Sequence, residues 1–263
     1  MDFKVMTFNL KIDIPEAKNN SWSERKDKVA KLINKYIPDM IGTQEGKIYM
    51  LEQLEQRIKN YSWIGRGRRG GEEGEYNAIF YKKDKIKLLD KGQFWLSENP
   101  GTAGSKSWDS SLPRICTWGE FHLKESDNNF LFYNTHLDHV GENARIKGIE
   151  LIHEKIKNKR KIKKIPVFLT GDMNAGPETE VIKYINNSKD KYLYLNNSYE
   201  KLVNKKGATF HDFTGKIKGV PIDYIFFSSE LECNKTIIIR DTYGSGNNYP
   251  SDHYPVLSHF EIK

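Results

Sequence analysis

The stretch Ile165-Pro166-Val167-Phe168-Leu169-Thr170-Gly171-Asp172-Met173-Asn174-Ala175 decides how this chain folds. Its first six residues form an apolar run with the length and β-branched content of a buried strand. The next residues, Gly171-Asp172-Met173-Asn174, open that strand into a loop. Residues two apart on an extended chain point the same way, so Asp172 and Asn174 can reach one water or one phosphate oxygen together. Gly, Asp and Asn are also ordinary turn formers, and the stretch alone leaves both readings open.

Five further apolar runs end in polar groups. They are Thr7-Phe8-Asn9-Leu10, Thr43-Gln44-Glu45, Asn134-Thr135-His136-Leu137, Ile222-Asp223-Tyr224-Ile225-Phe226 and Ser251-Asp252-His253-Tyr254-Pro255-Val256. Together these edges supply hard oxygen ligands for a divalent cation and two imidazoles to balance phosphate charge. In this ordered set the chain resembles the endonuclease/exonuclease/phosphatase (DNase I-like) superfamily. The likeness runs from about residue 4 to residue 260, and the chain looks like a stand-alone bacterial-type member nearest the Ccr4/nocturnin-like branch.

The resemblance implies one domain over residues 1–263, a four-layered α/β/β/α sandwich of two mixed β-sheets. It also implies a divalent-metal-dependent hydrolysis of phosphate esters. Mg²⁺, or Mn²⁺ in its place, would be held by Glu45, Asp252 and Asn9. Asp172 would activate water for in-line attack and Asn174 would hold the phosphate or the water. His253 paired with Asp223, and His136 paired with Glu75, would donate hydrogen bonds that stabilise the charge of the pentacovalent phosphoryl group. Arg114, ahead of the alternating segment Ile115 to Leu123, is the phosphate clamp, while Asp138 and Arg145, which follow closely on His136, would lie just behind the groups that touch substrate. Two residues after Asn9, where the AP-endonuclease branch carries an acid, this chain has Lys11, which argues against that branch and against a second metal ligand there.

Composition bounds the partners. The 263 residues carry a formal charge of +7, mostly from dispersed Lys, which suits either a solvated surface or a face for a polyanion. Cys116 and Cys233 lack metal spacing and read as reduced core residues. No apolar run approaches the roughly 18 residues of a membrane span, and no leader-like segment precedes the first strand. The expectation is a cytoplasmic monomer, with the Asn-x-Ser triplets at Asn19 and Asn186 there by chance.

Among the helices, Ser21-Trp22-Ser23-Glu24 reads as a capping box for a helix with Val29, Leu32, Ile33 and Tyr36 inward. Arg25 on its first turn reads as a surface charge. A third helix spans about Asn143 to Lys157, with the basic run Lys157 to Lys161 at its C-terminus, where the dipole favours cations. Gly65 to Glu75 lacks the ending of a P-loop and reads as a solvated loop or an arginine-bearing rim over an anionic substrate. The connection from Ser97 to Pro113 is long enough to expect a function. The first expected substrate is a nucleic acid, with the chain a phosphodiesterase or nuclease. The alternatives are small phosphorylated metabolites or lipid headgroups and, in another class, a non-catalytic polyanion-binding module.

Overall fold

Strands that carry large side chains on both faces are buried on both, and the first strand sets that pattern. In β1 (Asp2–Asn9), Phe3 and Val5 point to one side and Met6 and Phe8 to the other, all fully buried. The computed structural model describes residues 2–261 apart from 15, 17–19, 127, 189 and 245–247; Asn19 of the first triplet lies outside them.

The first sheet also holds β2 (Met40–Gln44), β3 (Tyr61–Ile64), β4 (Ile79–Lys82), β11 (Glu232–Ile238) and β12 (Val256–Glu261), in the order β11-β12-β1-β2-β4-β3. The second holds β5 (Ile86–Trp95), β6 (Ile115–Leu123), β7 (Asn128–His136), β8 (Val167–Asp172), β9 (Leu195–Asn197) and β10 (Asp223–Ser228), in the order β5-β6-β7-β8-β10-β9. Each is mixed, since β1 pairs parallel with β2, and β7 with β8, while their other neighbours are antiparallel.

Between the sheets Phe3, Phe130, Phe132, Phe168 and Phe260 interlock, with Phe168 edge-on to Phe260 at 4.9 Å, a geometry that suits the ring quadrupoles. Helices α1 (Trp22–Tyr36) and α2 (Ile48–Glu55) cover the outer face of the first sheet; α3 (Glu142–Ile162) and α4 (Glu180–Asn186) cover that of the second. This is the expected α/β/β/α sandwich. Among the described residues no helix is long and apolar enough to cross a membrane, and both cysteines are free and buried.

Several local expectations are corrected. Ser21 is the N-cap of α1, but its hydroxyl pairs with that of Ser23 and the capping box does not close. Arg25 is fully buried, because four backbone carbonyls, of Leu10, Lys11, Asn20 and Pro250, satisfy its guanidinium at 2.6–2.9 Å. Helix α3 ends at Ile162 and not near Lys157, and the basic run does lie at its C-terminus, with Lys159, Arg160 and Lys161 in the last turn. Arg160 is buried there against Glu230 and the carbonyls of Ile165 and Tyr192. The N-terminus of α3 is capped from a distance: Asp109 accepts the N–H groups of Ala144 at 2.6 Å and Asn143 at 3.2 Å. That contact pins the long connection 97–113 to the body of the protein.

A polar layer stitches the two sheets at one end. Asn134 Oδ1 accepts from Gln44 Nε2 at 2.8 Å and Thr170 Oγ1 at 3.1 Å, while its Nδ2 donates to the carbonyls of Thr43 and Ala78. Gly42 makes this approach possible, since a Cβ there would lie 2.2 Å from Thr170 Oγ1. Just above this layer the ends of β1, β2, β7 and β8 and the starts of β10 and β12 meet at a single rim.

Candidate active site

Strand register places the first functional groups. His136 lies opposite Asp172 across β7 and β8, and Asp172 opposite Asp223 across β8 and β10. Gly171 allows the close packing, holding φ at +155° where a Cβ would stand 2.2 Å from the Thr135 carbonyl. His136 Nε2 is 3.6 Å and His253 Nε2 3.8 Å from Asp172 Oδ2. His253 Nδ1 donates to Asp223 Oδ2 at 2.9 Å.

The first sheet contributes from the other side. Asn9 Nδ2 donates at 3.0 Å both to Glu45 Oε1 and to Asp172 Oδ2, joining the sheets through one carboxamide. Glu45 also accepts the Ile12 N–H at 2.8 Å. Its φ of 63° is left-handed, a conformation that costs roughly 1–2 kcal/mol for a residue with a Cβ. Lys11 Nζ sits 3.0 Å from Asp252 Oδ2.

This crowding sets the protonation states. Burial, and then the charge of Asp223, push the Asp172 carboxyl up to about 7. Burial opposes a charge on His253, but Asp223, Asp172 and Asp252 outweigh it and lift the imidazole to about 10. His136 is held well below its ordinary range by burial and by the positive charges of Arg114 and His253. One imidazole is therefore charged and the other neutral. For Glu45, burial alone would raise the carboxyl; the Ile12 N–H, Asn9, His253 and Lys11 reverse this and hold it low.

The opposite wall of the same 270 Å³ cleft carries the guanidinium groups of Arg68 and Arg114, with His139 beside them. Arg114 Nε donates to Asp138 Oδ2 at 3.3 Å and its NH2 to His139 Nδ1 at 2.9 Å. Asp138 in turn accepts from Ser111 Oγ, Val140 N and Gly141 N at 2.8–3.0 Å, and Arg145 donates to its carbonyl at 2.9 Å. Asp138 and Arg145 thus stand behind Arg114.

Two expectations change here. Glu75 pairs with Arg68, not with His136: NH2 meets Oε1 at 2.5 Å and NH1 meets Oε2 at 3.1 Å. The cause is a hairpin in the Gly-rich stretch, with Arg68 N bonded to Glu75 O and Arg69 N to Glu73 O. The segment is therefore not simply a solvated loop. Asn174 is not extended. At φ 46° its N–H turns back to Asp172 Oδ1 at 2.9 Å and its Nδ2 donates to the Leu137 carbonyl at 3.0 Å. Its side chain still borders the cleft.

Sequence reading missed Arg68 as an individual residue. Its signal was an Arg and a Glu flanking Gly70-Gly71 at a spacing that a tight hairpin brings together. His211, close in sequence to Phe210 of the cleft, is buried. It stacks on Tyr254 at 3.8 Å and meets Tyr249 edge-on at 4.6 Å.

The donor set suits a hard divalent cation. Glu45, Asp172 and Asp252 offer carboxylate oxygens to one cleft, and the buried Asp223 Oδ1 has no hydrogen-bond partner among the described residues. Ligand atoms of Asp172, Asp223 and His253 lie within 4.8 Å of one another, but a charged His253 serves as a donor there, which leaves the carboxylate oxygens as the ligands. Oxygen-rich sites of this kind take Mg²⁺, Ca²⁺ or Mn²⁺.

Comparison with known proteins agrees with this geometry. A family model described as endonuclease/exonuclease/phosphatase family matches residues 6–253. The solved mannosyl-6-phosphatase Bt3783 of Bacteroides thetaiotaomicron VPI-5482 superposes with a TM-score of 0.93 at 34% identity, covering 99% of this chain and 100% of that one. Protein L388 of Acanthamoeba polyphaga mimivirus is 27% identical over 251 residues, 91% of this chain and 92% of its own length. The Ccr4 3'-5'-exoribonuclease subunit of the CCR4-Not complex from Kluyveromyces lactis is 23% identical over 298 residues, 92% of this chain but 38% of its own length. This chain therefore spans well under half of that subunit.

Proposed function

The chain belongs to the endonuclease/exonuclease/phosphatase family, and we propose that it is a divalent-metal-dependent phosphoesterase acting on the phosphomonoester of a small metabolite such as a sugar phosphate. The single observation that carries this reading is the two-walled cleft. A doubly charged monoester facing Arg68 and Arg114 would bring its phosphorus against Asp172. At 270 Å³ the cleft is at the small end of ligand pockets, and Leu112 of the pinned connection closes one side of it. The mannosyl-6-phosphatase likeness at 34% identity supports a sugar phosphate.

In this reading Asp172 takes the proton of the attacking water, its carboxyl standing near 7 where a general base is most effective. His253, charged and fixed by Asp223, donates to the phosphoryl oxygens, and neutral His136 donates beside it. Asn9 orients Asp172 and Glu45 toward each other, and Asn174 borders the phosphate. Arg114 and Arg68, stiffened by Asp138 and Glu75, hold the substrate. Glu45, Asp252 and Asn9 would hold the Mg²⁺, with Mn²⁺ a substitute; when bound, the ion polarises a non-bridging oxygen and offsets charge on the leaving oxygen.

The second reading is a nuclease, favoured by the Ccr4 likeness and the charge of +7. Steady-state kinetics on mannose 6-phosphate, an aryl phosphodiester and single-stranded RNA, each at low and high salt, separate the two. The proposal expects the sugar phosphate to have the highest kcat/KM with little dependence on salt. RNA turnover that collapses with salt would establish the nuclease, and absence of turnover on all three would favour a binding module.

A further inference from the structure

We infer that Thr209 is a positioning residue whose buried hydroxyl fixes the Asp223–His253 pair against the cleft. Thr209 is fully buried. Its Oγ1 accepts two N–H groups, from Ile222 at 3.0 Å and from Asp223 at 3.2 Å. Its backbone carbonyl accepts the N–H of Tyr254, the residue after His253, at 2.7 Å. One residue thus holds the backbone of both partners in the 2.9 Å contact between His253 Nδ1 and Asp223 Oδ2.

Neighbouring contacts extend this hold. Phe210 forms an antiparallel bridge with His253, and the His211 N–H donates to the Asp252 carbonyl at 2.8 Å. Residues 209–211 therefore lie alongside 252–254 as a short splint. From the other side Tyr199 Oη donates to the Asp223 carbonyl at 2.9 Å. Asp223 is the first residue of its strand and, although paired with Asp172 on β8, lies beyond the β9 pairing that covers Phe226 to Ser228, so the Thr209 hydroxyl stands in for a partner on that edge. Without that hydroxyl the half-buried Ile222 N–H and the buried Asp223 N–H lose their acceptor, which a buried amide tolerates poorly, and the Asp223 carboxylate loses its fixed origin. A residue that orients a functional group through one intermediate is worth about 10–100-fold when it is removed.

The inference rests on the reading of Asp223–His253 as donor to the phosphoryl group, and the test separates the two. Thr209→Val, Thr209→Ser and wild type are compared by kinetics on an aryl phosphomonoester with Mg²⁺, and by NMR of the downfield His253 Nδ1 proton, assigned with His253→Asn. Thr209→Val is expected to lower kcat about 10–100-fold with KM within twofold, and to broaden or abolish the Nδ1 resonance. Thr209→Ser, which keeps the acceptor, restores both. If the valine variant does not fold, Thr209→Cys, with its weak sulfur acceptor, takes its place and is expected to lose the resonance in the same way. Wild-type kcat and an intact resonance in the valine variant would overturn the inference, as would a serine variant as impaired as the valine one. A wild type that hydrolyses no phosphoester would overturn the functional reading instead, and the Nδ1 resonance would still decide the role of Thr209.

Discussion

On one wall of the cleft Glu45, Asp172, Asp223 and Asp252 crowd together with Lys11 lodged against Asp252, while on the other each guanidinium already has its own carboxylate, Arg68 with Glu75 and Arg114 with Asp138. The first wall stores electrostatic tension. Its carboxyl at Asp172 is pushed up by burial and by Asp223, and Glu45 holds a left-handed backbone. The second wall is relaxed, with its charges paired and its loops pinned. Tension that a cation or a transition state can relieve belongs to the chemical step; paired, rigid arginines belong to binding. Damage to the first wall should therefore appear in kcat, and damage to the second in KM.

The largest effect is expected from Asp172→Asn, with kcat lower by about 10²–10⁴-fold, the scale of a general base. Its stability should move the other way. The folded carboxyl is raised from 3.8 to about 7, so its contribution is lost as pH rises through that range, and an uncharged isostere escapes that penalty. The melting temperature at pH 7.5 should hold or rise; a marked fall would mean that the first wall is not under tension. Next comes His253→Gln, for which steady-state assays should show kcat reduced about 10²–10³-fold with KM nearly constant. An equal loss in KM would place His253 with the binding wall.

A buried histidine outside the cleft sharpens the contrast. His153 on α3 is 1% exposed, neither ring nitrogen has a hydrogen-bond partner among the described residues, and burial lowers it to about 4. The unfolded chain takes up that proton near 6.5, so stability should fall as pH drops from 6.5 to 4, by about 3 kcal/mol at 1.36 kcal/mol per unit. Denaturant titrations of His153→Phe should show a flatter acid limb; an unchanged limb would refute the assignment. The smallest change is expected for Arg114→Met and Arg68→Met. Each should raise KM about 10-fold with kcat within a few-fold, the value of a charged hydrogen bond. A loss confined to kcat would merge the two walls into one.

Much of this site is legible in the sequence because its residues stand at strand edges. Asn9, Glu45, His136, Asp172, Asp223 and Asp252-His253 each follow or precede an apolar run, and strand pairing gathers such edges at one rim. The two sheets and their outer helices follow from the same runs together with the family likeness. What stays hidden is decided by partners distant along the chain. Arg25 looks like a surface charge until carbonyls from residue 10 to residue 250 surround it. Glu75 looks free to orient His136 until a glycine hairpin delivers Arg68 to it. Helix α3 ends at Ile162 and not near Lys157 because Glu230 and the Ile165 and Tyr192 carbonyls accept Arg160, and Asn174 curls where an extended pair with Asp172 is the simpler guess.

The most direct test of the central claim, that the carboxylate wall carries out metal-assisted phosphoester hydrolysis, is phosphate release from an aryl phosphomonoester before EDTA, after EDTA and after Mg²⁺ is restored. The account predicts turnover that disappears with the chelator and returns with the metal. Release that continues undiminished in EDTA would contradict it.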